Sequence, residues 1–444
     1  MKRRSLILGG TLLLVCALAA VFSGLGIRVS AIDKADIDSI VVGNNTFAID
    51  LYKQLAKNEG NLFFSPYSIS SALAMTYAGA RGETAEQMAD VLHLDLAPER
   101  LHPAFSDLTE MFNAPGKSYC LSVANALWGQ IGYEFRQEFL DITNKYHGAG
   151  FKEVDYTDDE NREQTRRSIN KWVESKTNDK IKDLIKPGDL TRLTRLVLTN
   201  AIYFKGQWER PFEPEATRLM PFHIAPEETV DVPTMHKAAE FNYAENNRIQ
   251  LLEMPYMDGD LSMVILLPKP EYELAKLEGI LDPENMRSWL SQLSRREVEV
   301  FLPRFKLEER FILNETLQDL GMIDAFDENT ADFSGMTTSR QGIFISKVIH
   351  QSFVEVNEEG TEAAAATAVA VGTKSIMLDK PPVFRADRPF IFMIRDLRSG
   401  TILFMGRLAD PRSKESPGIP LRSCPFDGAR MARVRNPATN GMPR

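Results

Sequence analysis

The sequence predicts an α+β fold organised as one large domain, and three observations carry that reading. Helical patterns crowd the chain up to about Lys176, continuous apolar runs dominate the remainder, and the two do not alternate as a doubly wound fold requires. Between Asp33 and Asp410 no proline- or glycine-rich stretch divides the chain, although 444 residues would by length alone allow two or three domains. A composition of 43% hydrophobic and 25% charged residues suits a globular protein with a large core.

The elements follow in order. Phe47, Leu51 and Leu55 recur at helical spacing within 45–57. Ser65 followed by Pro66 marks a helix start, serine as cap and proline at the first helical position, running to about Ala80. Gly82-Glu83-Thr84 restarts a helix that continues through Leu92, and further helical patterns cover 98–111, 136–147 and 161–176. Apolar runs at 119–127, 196–204, 261–267, 390–394 and 401–405 read as buried strands. Leu397-Arg398-Ser399-Gly400 supplies a turn that pairs the last two as a hairpin.

The ends differ in character from this body. Lys2, Arg3 and Arg4 precede an uncharged, mostly apolar run from Ser5 to Ile27, so residues 1–31 are expected to be a signal peptide or a membrane anchor. Small residues at Ala17-Leu18-Ala19 and Val29-Ser30-Ala31 offer cleavage sites, and the chain is expected to be exported. Residues 412–444 are rich in arginine and proline without apolar periodicity, and read as a disordered basic tail. Three cysteines, Cys16, Cys120 and Cys424, make no disulfide framework, and Cys120 in its apolar run reads as a small core residue.

Charge and motifs exclude several classes of function. A formal charge of −9 argues against general nucleic-acid binding, and the cluster Arg162, Arg166, Arg167 and Lys171 at helical spacing reads as a solvated face. The six histidines form no HExxH pair, and neither a phosphate-binding loop nor a G-x-S-x-G elbow occurs. No catalytic residue, metal ligand or cofactor is therefore assigned. A hydrolase with an unrecognised nucleophile is the weakest reading.

One segment stands apart. Glu358-Glu359-Gly360-Thr361-Glu362-Ala363-Ala364-Ala365-Ala366-Thr367 runs from an acidic strand end through one glycine into small uncharged residues. Such residues can enter a packed interior without burying a lone charge, with Thr361, Ala363, Ala365 and Thr367 on one strand face. An alanine-rich linker is the competing reading of this window. His350 shares a strand face with Val348, Ser352, Val354 and Val356 just before it. A buried, hydrogen-bonded histidine there could latch two strands that must later separate.

At this point the chain resembles a serpin, from about Asn45 to Pro411. Six segments in the family's order carry the resemblance: Asn61-Leu-Phe-Phe-Ser65-Pro66-Tyr-Ser68, Asn200-Ala-Ile-Tyr-Phe-Lys-Gly206-Gln-Trp208, Leu302-Pro303-Arg-Phe-Lys, Ala331-Asp-Phe-Ser-Gly335-Met, the Glu358 hinge, and Arg388-Pro389-Phe390 with Phe404-Met405-Gly406-Arg407. The resemblance implies a single domain over 32–411, with three β-sheets surrounded by about nine α-helices and a reactive loop at 360–382 fed by a central strand at 347–357. It places the scissile bond between Lys374 and Ser375. It also implies a shutter of Ser65, Ser68, Asn200 and His350, with Trp208 and Glu358 at the sheet's upper opening. The implied function is suicide inhibition of a serine protease of trypsin-like specificity by a monomer, without cofactor, a heparin-like polyanion included. A membrane partner is expected only if the leader stays uncleaved. The alternative is a non-inhibitory serpin with a carrier, storage or chaperone role, for which a charged, bulky or proline residue among the four inward positions would have been the sign.

Overall fold

In the computed structural model, which describes residues 33–148, 150–339, 342–361 and 380–412, the first helix is Lys34–Leu55 (α1). Asp33 caps it by accepting from the Ala35 backbone N–H. The helix begins well before Asn45: Ile37, Ile40 and Val41 already recur at helical spacing and are buried in the core. A Cβ at Gly43 would stand 2.3 Å from the His93 carbonyl oxygen, and Asn44 is buried with its Nδ2 donating to the Ile402 carbonyl. Eight further helices follow among the described residues: Pro66–Tyr77 (α2), Gly82–Leu92 (α3), Pro98–Phe112 (α4), Gln137–Tyr146 (α5), Asp159–Lys176 (α6), Leu274–Gly279 (α7), Pro283–Ser291 (α8) and Asn314–Asp319 (α9). Helix α2 stops at Tyr77, short of the expected Ala80.

The strands are Leu62–Phe64 (β1), Tyr119–Gln130 (β2), Phe151–Val154 (β3), Leu196–Gln207 (β4), Arg218–Ala225 (β5), Glu228–Glu245 (β6), Ile249–Pro255 (β7), Leu261–Pro268 (β8), Ser294–Pro303 (β9), Phe305–Ile312 (β10), Ile345–Val356 (β11), Gly360–Thr361 (β12), Val383–Arg385 (β13), Phe390–Asp396 (β14) and Ile402–Leu408 (β15). They form two hydrogen-bonded assemblies where three sheets were expected. The reason is β6: its first part pairs with β5, its middle with β9 and its last residues with β7, so one long strand joins two of the sheets. The expected hairpin of β14 and β15 is present around Arg398-Ser399-Gly400.

The other assembly positions the site. Its order is β10-β11-β12-β4-β2-β3; β4 is buried on both faces as its apolar run from Leu196 to Phe204 requires, and β11 is buried along most of its length although it carries several polar side chains. Phe63 of β1 stacks on Phe392 and Phe404 of its own assembly at 5.7 and 5.3 Å, and its carbonyl accepts from the Ser352 hydroxyl of β11 at 2.7 Å, tying that assembly to this sheet. On the opposite face of the sheet, Ile169 and Val173 of α6 pack in a smaller core with Trp128 and Tyr203. Cys120 differs from expectation: near the start of β2 it is half-buried, 3.5 Å from the Ser122 hydroxyl, because residues 120–123 are only partly covered there.

Candidate functional site

Strands β4 and β11 run parallel and pair directly from Leu196 with Ile345 to Tyr203 with Phe353. Beyond Phe353 they part, and β12 enters the opening antiparallel to both, with Thr361 between Gly206 and Val356. Two residues thus stand where a further strand would lie. Gly360 can sit there because it has no side chain: a Cβ would come within 2.1 Å of the Gly206 carbonyl oxygen. Thr361 is fully buried, its hydroxyl 2.7 Å from the Tyr256 hydroxyl.

Below this wedge the two strands are latched. His350 and Asn200 are register partners, and the imidazole Nδ1 is hydrogen-bonded to the Asn200 side-chain oxygen. The Ser65 backbone N–H donates to Nε2 at 3.1 Å, so Nε2 is the acceptor and Nδ1 carries the proton. Asn200 Nδ2 donates in turn to the Ser68 hydroxyl and to Asn125 Oδ1, both at 2.6 Å. Ser65 also caps α2, accepting from the Ser68 N–H, while its own hydroxyl donates to the Leu403 carbonyl at 2.6 Å. Ser352, one turn of pleat above His350, donates to the Phe63 carbonyl at 2.7 Å. Burial pushes the His350 imidazole down to about 3. Protonating Nε2 would also set a second donor against the Ser65 N–H.

The upper end of the opening is held by Trp208 and Glu358. Trp208 donates from its indole Nε1 to the Asn357 carbonyl at 3.0 Å and from its backbone N–H to the Glu359 carbonyl at 2.9 Å, and its ring stacks on Tyr256 at 4.6 Å. Asn357 closes the turn, its Oδ1 accepting from the Glu359 N–H at 3.1 Å. The buried Glu358 carboxylate is paired with Arg304, whose Nε donates at 2.7 Å, and it also accepts from the Thr217 hydroxyl. Burial disfavours its ionised form, yet the hydrogen bonds from Arg304 and Thr217 outweigh that and hold the carboxyl below its ordinary range.

A protein-family model described as Serpin (serine protease inhibitor) matches residues 42–411. The chain belongs to the serpin family. An uncharacterized serpin-like protein of Thermococcus kodakarensis is 45% identical over 375 residues, covering 84% of this chain and 86% of that one. The leukocyte elastase inhibitor of Homo sapiens is 43% identical over 385 residues, covering 84% of this chain and 100% of that protein. Among solved structures, uncleaved ovalbumin matches with a TM-score of 0.76 at 30% identity, over 84% of this chain and 100% of that one. As a member of a family of protease inhibitors, this serpin is not an enzyme.

Ser65, Ser68, Asn200 and His350, the residues expected to form a shutter, meet in one hydrogen-bonded cluster, and Trp208, Glu358, Glu359, Gly360 and Thr361 meet at the upper opening. Glu362, Ala363, Ala364, Ala365, Ala366, Thr367, Lys374 and Ser375 lie outside the described residues, as do 1–32 and 413–444. Sequence reasoning missed Asn125, Arg304, Thr217, Tyr256 and Asn357. Asn125 sits opposite Asn200 in the register of β2 and β4, a signal available only once the strands are paired. Among the described residues no group of three or more metal-ligating side chains assembles, and no helix is long and apolar enough to cross a membrane.

Proposed function

We propose that this serpin is an exported suicide inhibitor of trypsin-like serine proteases. The observation that carries the reading is the partly occupied opening: β4 and β11 still pair directly along most of their length, while Gly360 and Thr361 already stand in strand register between their ends. Continued in that register, the loop would seat Ala363 between Phe204 and Val354, Ala365 between Ile202 and Ser352, and Thr367 between Asn200 and His350. The first two places are closely packed and admit only small side chains. The third replaces the His350 to Asn200 hydrogen bond by a threonine hydroxyl, which both donates and accepts.

Lys374 is the bait. A protease with a carboxylate at the base of its specificity pocket accepts that cation. Its serine hydroxyl attacks the Lys374 carbonyl, the bond to Ser375 breaks with the amine of Ser375 as leaving group, and the enzyme is left esterified to Lys374. The freed loop then enters between β4 and β11, and the attached protease is dragged with it before water completes hydrolysis. Serpin loop insertion is a known instance of strand addition and stored-strain release. Export rests on Lys2, Arg3 and Arg4 followed by the apolar run to Ile27.

Rates of inhibition test the specificity. Trypsin should be inhibited at least about a hundredfold faster than an elastase, and Lys374→Val should reverse the order, since a missing charge pair in the pocket costs several kcal/mol. Equal rates for the two proteases, unchanged by Lys374→Val, would remove Lys374 from the account.

A further inference from the structure

Helices α4 and α5 meet through two imidazoles that the opening and its latch do not use. His102, on α4, is 2% exposed, and His147 ends α5, its backbone N–H donating to the Thr143 carbonyl at 3.2 Å. Nδ1 of His102 and Nε2 of His147 are hydrogen-bonded at 3.1 Å, with the rings edge to face at 5.2 Å. The two remaining nitrogens, His102 Nε2 and His147 Nδ1, are buried and have no hydrogen-bond partner. Whichever neutral ring donates, its other nitrogen is a lone pair without a donor, and the accepting ring keeps an N–H without an acceptor. Both unmet groups are costly, so the contact is closed but poorly satisfied.

A further proton makes it worse. The pair becomes a buried imidazolium whose two outward N–H groups both lack acceptors. Burial accordingly pushes His102 down to about 4 and His147 to about 3, the latter also lowered by charge on His102. Those N–H groups gain partners when the helices part and water enters. One partner is already in place: the exposed Glu99 stands one turn before His102 on α4 and favours its charged form. Titratable groups that the neighbouring elements bring are engaged with others: Asp36 of α1 with Arg100, Tyr67 of α2 with Thr109, Lys145 of α5 with Tyr146, and Lys152 of β3 with the Trp128 and Trp172 rings. On α4 itself, Asp107 is acted on by Glu110.

We propose that the contact of His102 with His147 is an acid-released joint, shut at neutral pH and opened by proton uptake as the medium acidifies, so that α5 and the edge strand β3 part from α4. The two move together because Phe139 of α5 packs on Phe151 of β3 at 5.8 Å, and β2 is the single strand with which β3 pairs. Above about pH 6.5 neither the shut nor the open joint takes the proton, and the joint stays shut. As pH falls from there towards 4, the open joint binds protons that the shut one refuses, and at pH 5 each freed imidazole raises the opening equilibrium about 30-fold. This response is separate from that of His350, which joins β11 to β4.

Hydrogen exchange of the full chain, read by peptide mass spectrometry at pH 7 and pH 5 and corrected for the intrinsic rate at each pH, tests the joint. Residues 137–147 should open at least about 30-fold more at pH 5, while Leu261–Pro268 in the other strand assembly is still protected. The parent chain alone can refute the proposal: unchanged protection of 137–147 would overturn it, and so would labelling of 137–147 and 261–268 together, which reports unfolding of the whole chain. His102→Gln combined with His147→Gln should abolish the gain in 137–147 between pH 7 and pH 5. A gain as large in that double variant as in the parent would assign the acid response to other groups and overturn the joint.

Discussion

His350 and Asn200 face one another across β11 and β4, joined through the imidazole Nδ1 while Nε2 accepts from the Ser65 N–H. One side chain therefore links β11, β4 and the start of α2. Separating the two strands at this level breaks the Nδ1 bond unless a substitute takes its place. The native state is held closed by a polar latch set in an otherwise apolar interior, where each unmet group is expensive.

Removing the latch should open the sheet early. His350→Ala leaves the Ser65 N–H and the Asn200 oxygen buried without partners, a loss of about 2–4 kcal/mol. Differential scanning calorimetry should record a clearly lower midpoint, and native gels after mild heating should show polymers. A monomer with unchanged midpoint would contradict the latch.

Acid should weaken the native state through the same residue. His350 is held to about 3 in the fold, against an unfolded value near 6.5. Above pH 6.5 neither state binds the proton and the native state keeps its full stability. As pH falls from 6.5 towards 3 the unfolded chain takes up a proton that the native state refuses, costing about 2 kcal/mol at pH 5. Burial also drives His102 to about 4, so part of the acid sensitivity belongs to it. Urea unfolding at pH 7.5 and pH 5 should therefore give a smaller difference in His350→Gln than in the parent chain, and an identical difference would assign the effect elsewhere.

The wedge residue should decide between inhibition and turnover. Thr361 is fully buried against Tyr256, leaving no room or counter-charge for a cation. Thr361→Arg should be cleaved as a substrate, its stoichiometry of inhibition rising at least about tenfold because a buried unpaired charge costs several kcal/mol. Retained inhibition would exclude insertion through this opening.

Register makes a finer prediction for Thr367. If the inserted loop seats it between Asn200 and His350, Thr367→Val presents a methyl group to both and Thr367→Ser preserves the hydroxyl. The protease-cleaved valine variant should unfold at a lower temperature than the cleaved serine variant, by about 1–3 kcal/mol of stability. Equal midpoints would place the strand in another register.

Much of this was legible in the sequence because it depends on residue type and local order. Ser65-Pro66 announces a capped helix, the apolar runs announce buried strands, and the change at Gly360 from acidic to small residues announces a segment able to enter a packed interior. What could not be read depends on pairing across distance. Arg304 finds Glu358, Asn125 finds Asn200 and Tyr256 finds Thr361 only after strands far apart in the chain have set their register. The early turns of α1 were missed although Ile37, Ile40 and Val41 recur at helical spacing and are buried; beside them Gly43 and Asn44 serve close packing and an internal hydrogen bond. Asn44 and Asn314, each followed two residues later by a threonine as in a glycosylation sequon, are likewise engaged in the fold, with both amides donating to backbone carbonyls.

On the proposed mechanism, a protease that cleaves this loop is trapped by it. Incubation with trypsin, followed by boiling in detergent and mass spectrometry, tests that most directly. The expected products are a covalent complex and a released fragment that begins at Ser375. Cleavage after Lys374 with both products free and trypsin fully active would contradict it.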